Sequence, residues 1–545
     1  SRTDYAILGS VSENRIEYQI KISTTFQTID EGFVEGTIPF HLISTMAQRI
    51  KTRMEIKETK VTSVEQIFRG NVSLLQQYSI GVHAFRRGKY AEADRALRLA
   101  LNYEPNFSPA LIYLARTQQE RGLREQAKES AQSGVFQVSD LPYSLASLIK
   151  AQYYGFAQKH EEAAEIYHEF HNQFPDVTEY LVWWGEALVK ADRLEEAANV
   201  FYEICEKESK SGLGWLRLAW IEFLQEKYEQ AWYHYKRAQK LYQSLNHFGG
   251  LAATYMGVAQ VSEKRADWNS AVDYYQRAVE AFTKINWLKG IAKAKYQLAL
   301  SLRKQSSYSA VLPLLRESLN QFHELGDLYG EFLCLRQMLS EPLEISEALD
   351  LSDRVLVTAS EIQDDKLTAS VIPLKMRWLV ESRHPDAVLR LYSSYYNLLV
   401  LSSPDLYFSL SQMQVTRALI QQQRFTEAHQ HIEQAIRILG KTNNPYLVVR
   451  GMLVRCELFL LEGNKEQAQD YVDATGLIAE KLSDRELALD VEIMRGRILE
   501  SEGDRVQLLQ VYLTALRLAE DLNNTTQMRN IKGQIEQLRA MKTQS

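Results

Sequence analysis

Residues 74–105 read LLQQYSIGVHAFRRGKYAEADRALRLALNYEP, and this stretch decides the fold. Apolar residues recur at helical spacing on both sides of Arg87-Gly88-Lys89, which predicts two amphipathic helices joined by a turn. Gly81 and Ala93 are small where the helices must approach, and Pro105 ends the second helix because it has no amide hydrogen. A hairpin of this size cannot bury its apolar face alone, so it requires similar hairpins as neighbours.

Copies of the hairpin follow at a regular period. A column of small or apolar residues in the second helix recurs at steps of 34 to 40, at Ala93, Ala127, Ala163, Ala197, Ala231, Ala271 and Val311, and again at Ala428, Ala468 and Leu508. The first helix carries its own column of small residues, at Gly81, Ala115, Ala151, Gly185, Ala219 and Ala259. Several columns at one period predict a stack of about 12 helical hairpins.

The repeats resemble the tetratricopeptide repeat family. The residues at the family's signature spacings are Trp215, Leu218, Ala219, Tyr228, Ala231, Tyr235 and Ala238. The resemblance covers roughly residues 74–541. It implies an all-α, TPR-type α-solenoid with a right-handed superhelix, whose first helices line the concave face.

Residues 1–60 follow a different pattern. Tyr5–Val11 and Ile16–Ile22 are short strand-like runs separated by turn residues, and the second alternates apolar with polar residues. Asp30-Glu31-Gly32 predicts another turn, residues 33–38 a third strand, and residues 41–57 a helix. These elements predict a small α/β half-domain with a β-hairpin and one helix.

This half-domain resembles the TolB-amino-terminal-like module of bacterial signalling proteins. The resemblance is carried by Leu8-Gly9-Ser10-Val11 and the alternating strand that follows. Such modules join repeats to an effector domain in CadC-like transcription regulators, adenylate cyclases and receptor serine/threonine kinases. The resemblance implies an effector encoded upstream of Ser1, and a location on the cytoplasmic or periplasmic side of a bacterial inner membrane.

The patterns divide the chain into four parts. Residues 1–60 form the α/β half-domain, and residues 61–327 form a solenoid of 34- to 40-residue repeats opened by a capping box at 62–65. Residues 328–405 hold two degenerate hairpins interrupted by prolines, which we predict to be a hinge. Residues 406–545 return to 40-residue repeats and end in a capping helix near 525–541.

Composition excludes several function classes. The net charge is −6, from 63 basic and 69 acidic residues, so nothing favours nucleic acid as a partner. Cys205, Cys334 and Cys456 are odd in number and far apart, which excludes a disulfide framework and predicts buried free thiols. No apolar run approaches the ~18 residues of a membrane span.

Motifs for catalysis are missing from the sequence. It contains no phosphate-binding loop, HExxH, CxxC or GxSxG pattern, so we predict no enzymatic activity, no cofactor and no metal site for this segment. The nearest metal pattern is His168 and His171, and a pair at this spacing without a third ligand is typical of an exposed helix face. A basic group around Lys289 to Lys304 indicates either a solvated face or contact with an acidic partner.

The remaining function is recognition of a protein or peptide. Repeat position predicts that the concave groove is lined by Arg116, Gln152, Trp183, Glu186, Arg217, Trp220, Gln260 and Arg303. The leading hypothesis is a sensor or scaffold region of a signalling protein, most simply a transcription regulator. A receptor kinase or cyclase, or a free-standing assembly scaffold, are the alternatives, and a homodimer is left open.

Overall fold

The computed structural model describes most of the chain. The described residues are 5–12, 15–22, 28–35, 67–136, 138–175, 177–207, 212–305, 308–341, 343–402, 405–442, 444–482, 484–502, 505–522 and 525–540. For the first three ranges only the backbone is described. The predicted helix at 41–57 and the capping box at 62–65 lie outside the described residues.

Three strands form an antiparallel sheet near the amino terminus. β1 (Tyr5–Ser12), β2 (Arg15–Ile22) and β3 (Thr28–Glu35) lie in the order β1-β2-β3. Tyr5 pairs with Ile22, and a register shift interrupts the pairing of β2 with β3 between Ile20 and Lys21. The predicted hairpin is therefore present, but the predicted turn at residues 30–32 is wrong. Those residues lie within β3, which begins before the acidic pair and ends at Glu35.

Twenty-five helices are described between residues 72 and 540. In the unit of residues 1–206 they are α1 Val72–Arg86, α2 Tyr90–Tyr103, α3 Ser108–Glu120, α4 Arg124–Val135, α5 Tyr143–Phe156, α6 His160–Gln173, α7 Thr178–Lys190 and α8 Leu194–Lys207. The last of these ends one residue into the second compact unit, residues 207–545. Short 3₁₀ turns lie at Val138–Asp140 and, in the second unit, at Tyr308–Ala310.

The second unit holds the other seventeen described helices. They are α9 Leu213–Leu224, α10 Tyr228–Ser244, α11 Phe248–Lys264, α12 Trp268–Lys284, α13 Leu288–Lys304, α14 Val311–Leu325, α15 Leu328–Met338, α16 Ile345–Ile362, α17 Asp365–Glu381, α18 Pro385–Ser402, α19 Tyr407–Gln421, α20 Phe425–Leu439, α21 Pro445–Glu462, α22 Lys465–Leu482, α23 Arg485–Glu502, α24 Arg505–Asp521 and α25 Thr525–Ala540. Odd-numbered helices are first helices and even-numbered ones are second helices. The described helices thus form twelve hairpins and a final helix, as predicted.

The column of small residues explains why the helices of a hairpin pack so closely. Ala93, Ala197, Ala231 and Ala271 are fully buried on the second helices, and so are the facing small residues of the first helices. A Cβ added to Gly185 on α7 would lie 2.6 Å from the ring of Phe201 on α8. The buried aromatic ring therefore occupies the space that a side chain at 185 would need.

The turn inside most of the described hairpins adopts one conformation at the repeat period. Gly88 and Gly122 have positive φ there. At the matching positions of later repeats, non-glycine residues hold the same left-handed conformation, at Gln158, Asp192, Glu226, Ala266 and Gln423. The turn is therefore imposed by the packing of the two helices, since most side chains disfavour this region.

The degenerate stretch retains the hairpin architecture. Residues 328–405 contain α15 to α18, and α17 continues through Pro373 in its interior. Trp378 of α17 is buried and its indole nitrogen donates to the carbonyl oxygen of Leu339 at 3.3 Å. Its role as a hinge stays a prediction.

All three cysteines are free and buried, as predicted. Burial raises the pKa of the Cys334 thiol, and that of Cys456, to about 12. Cys334 and Cys456 are therefore protonated thiols at neutral pH, with the character of small apolar side chains. None of the described helices combines the length and the apolar run that crossing a bilayer requires.

Candidate functional site

The eight predicted groove residues all lie on first helices. Five of them, including Trp220, directly follow a buried small residue. Ala115, for example, is fully buried against the second helix of its hairpin, and one residue further along α3 the side chain of Arg116 is only half-buried. One residue turns the helix by about 100°, so the position after the contact points away from the second helix. All eight share this half-buried state: Arg116, Gln152, Trp183, Glu186, Arg217, Trp220, Gln260 and Arg303.

Arg116 sits on aromatic rings in the first unit. Its guanidinium carbon lies 4.7 Å from the ring centre of Phe85 on α1 and 5.0 Å from that of Tyr113 on α3. Burial raises the pKa of Tyr167 to about 12, while the charge of Arg116 lowers it and that of Glu186 raises it. Both predicted residues therefore lie near the same second-helix tyrosine.

Trp183 belongs to this aromatic surface and its neighbour Trp184 does not. The ring centre of Trp183 lies 5.8 Å from Tyr167 and 5.6 Å from Tyr180. On α5, the side-chain oxygen of Gln152 is buried and has no hydrogen-bond partner among the described residues. The first unit thus presents rings, one cation, one carboxylate and one amide, which is a set suited to a peptide.

The tandem tryptophans also account for the histidine pair. The ring of Trp184 stacks on His168 with centres 4.2 Å apart, and His171 lies 6.0 Å from it. The Nε2 atom of His171 lies 3.5 Å from a carboxylate oxygen of Glu203. Within the described residues no three His, Cys, Asp or Glu side chains group as a metal site would require. The pair therefore packs around an indole ring.

The other four predicted residues lie in the second unit. Burial raises the pKa of Tyr242 to about 12, and the charge of Arg217 on α9 opposes that rise, so Arg217 lies beside the second helix of its own hairpin. Trp220 and Gln260 are half-buried on α9 and α11. The Nε atom of Arg303 on α13 lies 3.3 Å from a carboxylate oxygen of Glu341, whose side chain is almost fully buried.

The basic group at 289–304 does not form one cationic face. The Lys289 ammonium lies 3.6 Å from Asp327 with both side chains buried, and Lys295 lies 2.7 Å from Glu317. With Arg303 held by Glu341, three of its cations are paired inside the chain. Attraction of an acidic partner by this group as a whole is therefore not supported.

A set of charged first-helix residues was missed by the sequence reasoning. Arg377, Arg417, Glu457 and Arg497 recur every 40 residues on α17, α19, α21 and α23. The Arg417 Nε atom lies 3.2 Å from one Glu457 oxygen, and an Arg497 nitrogen lies 3.6 Å from the other. The 40-residue column was a signal in the sequence, and reading charged as well as small residues by period would have found it.

Comparison with known proteins yields no family and no curated relative. No protein-family model matches the chain, and no curated protein matches it.

Three solved structures with similarity to the chain are remote from it in sequence. The Cut9–Hcn1 hetero-tetramer of the APC/C is 13% identical, with a TM-score of 0.36 over 73% of this chain and 87% of that one. Yeast Tom70 is 12% identical, with a TM-score of 0.35 over 75% and 92%. A signal-transduction ATPase with a tetratricopeptide repeat sensor from Pyrococcus horikoshii is 13% identical, with a TM-score of 0.38 over 58% and 55%. At these scores the similarity identifies neither a ligand nor a partner.

The helices and their periodic packing define the class of the protein. Most of the described hairpins share the left-handed turn, and small residues are buried at the contact between their two helices. Within each of the two compact units, the described hairpins pack on their neighbours in sequence. The helices of each unit form an α-solenoid of the tetratricopeptide repeat type, a fold found in protein-interaction scaffolds.

Proposed function

We propose that the chain binds a protein or peptide on the outward positions of its first helices and acts by binding rather than by catalysis. The observation that carries this proposal is the half-buried state of eight long or aromatic side chains beside fully buried small ones. Such side chains hold contact area and hydrogen-bonding groups in fixed positions, which lowers the entropic cost of binding. Tryptophan and arginine are also the residues most enriched where binding energy concentrates.

Trp183 and Trp220 provide the test. Twelve-residue peptides are selected from a displayed random library on the full chain, and their affinities are measured by calorimetry. Changing Trp183→Ala or Trp220→Ala should weaken binding of the selected peptides about tenfold or more, since a buried aromatic anchor contributes about 2 kcal/mol or more. Trp232→Ala is the matched control, because Trp232 is an exposed tryptophan on the second helix α10.

The outcome can contradict the proposal in two ways. If the selection yields no binding peptide, the proposal that the chain binds peptides is wrong. Peptides that bind the unchanged protein, the two variants and the control equally would remove the assignment of the surface to first helices.

We propose further that this binding region belongs to a bacterial signalling protein, in the first instance a transcription regulator. The resemblance of residues 1–60 to a module of such proteins supports this, and so does the three-stranded sheet over residues 5–35. A receptor kinase, a cyclase and a free-standing scaffold are the alternatives. The natural reading frame upstream of Ser1 is the test, because winged-helix, kinase and cyclase domains have distinct motifs. A frame with none of them would favour the scaffold.

A further inference from the structure

Four first helices of the second unit bring arginines together. Arg303, Arg377, Arg417 and Arg450 come from α13, α17, α19 and α21, and we call them the arginine cluster. Burial lowers the pKa of Arg377, and the positive charges of the other three lower it further. Arg377 thus feels the charges of three arginines on helices that are far apart in the sequence. Its guanidinium also donates to the carbonyl oxygen of Leu339 at 2.9 Å, two residues before the Glu341 that pairs with Arg303.

The chain satisfies these guanidinium groups only in part. The Nε atoms of Arg377 and Arg450 are shielded from solvent and have no hydrogen-bond partner among the described residues. Their neighbouring carboxylates, Glu381 and Asp490, lie at 3.6 Å and 3.7 Å, which is beyond hydrogen-bonding distance. A shielded donor without an acceptor is destabilising, so the cluster has the capacity to accept an oxygen ligand.

An acceptor close to the cluster is also unsatisfied. Gln414 lies on α19 about one helical turn before Arg417, and its side chain is 7% exposed. Its Oε1 atom is buried and has no hydrogen-bond partner among the described residues. This region therefore holds unsatisfied donors for a carboxylate and an unsatisfied acceptor for an N–H group, and a peptide supplies both kinds of group.

Nearby carboxylates argue against a polyanion. Glu341 pairs with Arg303, and Glu457 is shared by Arg417 and Arg497. The negative charge of Glu486 acts on both Glu341 and Asp490. A chain of phosphates would meet these carboxylates as well as the arginines, whereas one or two carboxylates can contact the arginines alone.

We propose that the arginine cluster binds a segment of a partner protein through one or two Asp or Glu side chains, with Arg377 and Arg450 as donors and Gln414 as the acceptor for a peptide N–H. This inference rests on the proposed function and specifies its partner as an acidic peptide. Guanidinium groups pair with carboxylates through two parallel hydrogen bonds, which gives the contact a preferred geometry.

Defined pools of ten-residue peptides test the proposal on the full chain. The first pool carries four Asp or Glu residues at varied positions, the second replaces them with Asn or Gln, and the third replaces them with phosphoserine. A ten-nucleotide single-stranded RNA is the fourth probe. The acidic pool should be enriched over the other three, and its affinity should fall as salt is raised.

Two variants locate the site. Arg450→Gln should weaken binding of the enriched acidic peptides about tenfold, which corresponds to the loss of one charged hydrogen-bonding partner. Arg450→Lys should fail to restore it fully, because an ammonium lacks the planar fork. Arg390→Gln, an exposed arginine on the second helix α18, is the matched control and should leave affinity unchanged. Circular dichroism of each variant verifies the helical fold.

Each other result overturns the proposal. If the neutral pool binds equally well, the ligand is not recognised through a carboxylate. If phosphoserine peptides or RNA are preferred, the ligand is a phosphate-bearing molecule. If the Arg450→Gln protein binds like the Arg390→Gln control, the binding site does not include Arg450. The proposed function fails separately. Peptides that depend on Trp183 or Trp220 would still be selected if only the arginine cluster were misassigned.

Discussion

A glycine at a helix contact shows how single residues determine the packing of this solenoid. A methyl group on Gly185 would meet the ring of Phe201 at 2.6 Å, and Phe201 is fully buried. We expect Gly185→Ala to destabilise the protein by about 1–3 kcal/mol, because overpacking outweighs the gain in helix propensity. The urea midpoint measures the change.

Gly155 offers the matched control for that substitution. It lies on α5 of the same unit, and an added Cβ there meets no atom within 4 Å. Gly155→Ala should leave stability unchanged or raise it by up to about 1 kcal/mol. Equal midpoints for the two variants would contradict the packing account of the small-residue column.

A buried histidine makes stability depend on pH. His431 on α20 contacts Gln412, and its ring lies 5.9 Å from Tyr392. Burial lowers its pKa from the ordinary value of 6.5, so the unfolded chain binds the proton more tightly than the folded one. Its contribution to stability is full above pH 6.5 and is lost as the pH falls from that value through the lower pKa of the folded state.

His431→Gln should therefore reduce the loss of stability between pH 7.5 and about pH 5, since glutamine keeps a hydrogen-bonding group without a charge. Urea unfolding at a series of pH values is the measurement. His384→Gln, at an exposed position, should retain the slope of the unchanged protein. If the dependence of stability on pH is the same in all three proteins, His431 is not the cause of that dependence.

At the scale of elements, the helical hairpins were predictable and their turns were not. Alanine and glycine columns survive in the sequence because the contact they make tolerates little else, so period alone located the helix pairs. The turn has the same left-handed conformation at Gly88 and at the matching positions Glu226 and Ala266 of later repeats. The residue type at this position therefore did not predict the turn. A turn predicted at residues 30–32 became strand, because pairing with β2 overrides local turn preference.

Residues of the candidate site could be predicted from the sequence only where their position within the repeat determines which way they face. Arg116 and Trp220 could be placed on first helices because each follows a small residue of the column. Of the arginine cluster, only Arg303 was predicted. The 40-residue period joins Arg377 to Arg417, but no periodic pattern joins Arg450 to the other three. Which charged side chains come close together depends on the angle at which successive hairpins stack. A single sequence does not determine that stacking angle.

At the scale of the whole chain, the close helix packing seen among the described helices joins helices that are adjacent or next but one in the sequence. Stability in such an array is a sum of hairpin and neighbour terms, so damage should remain local. Leu181 on α7 is fully buried, and Leu181→Ala should cost about 2–5 kcal/mol. We expect faster hydrogen exchange in α5 to α8 and unchanged exchange in α19 to α24, measured by mass spectrometry. Leu401→Ala, at a position that is 82% exposed, should change neither region. If α19 to α24 exchanged faster in the Leu181→Ala protein alone, the chain would behave as one cooperative globule, and recognition by independent stretches of first helices would lose its physical basis.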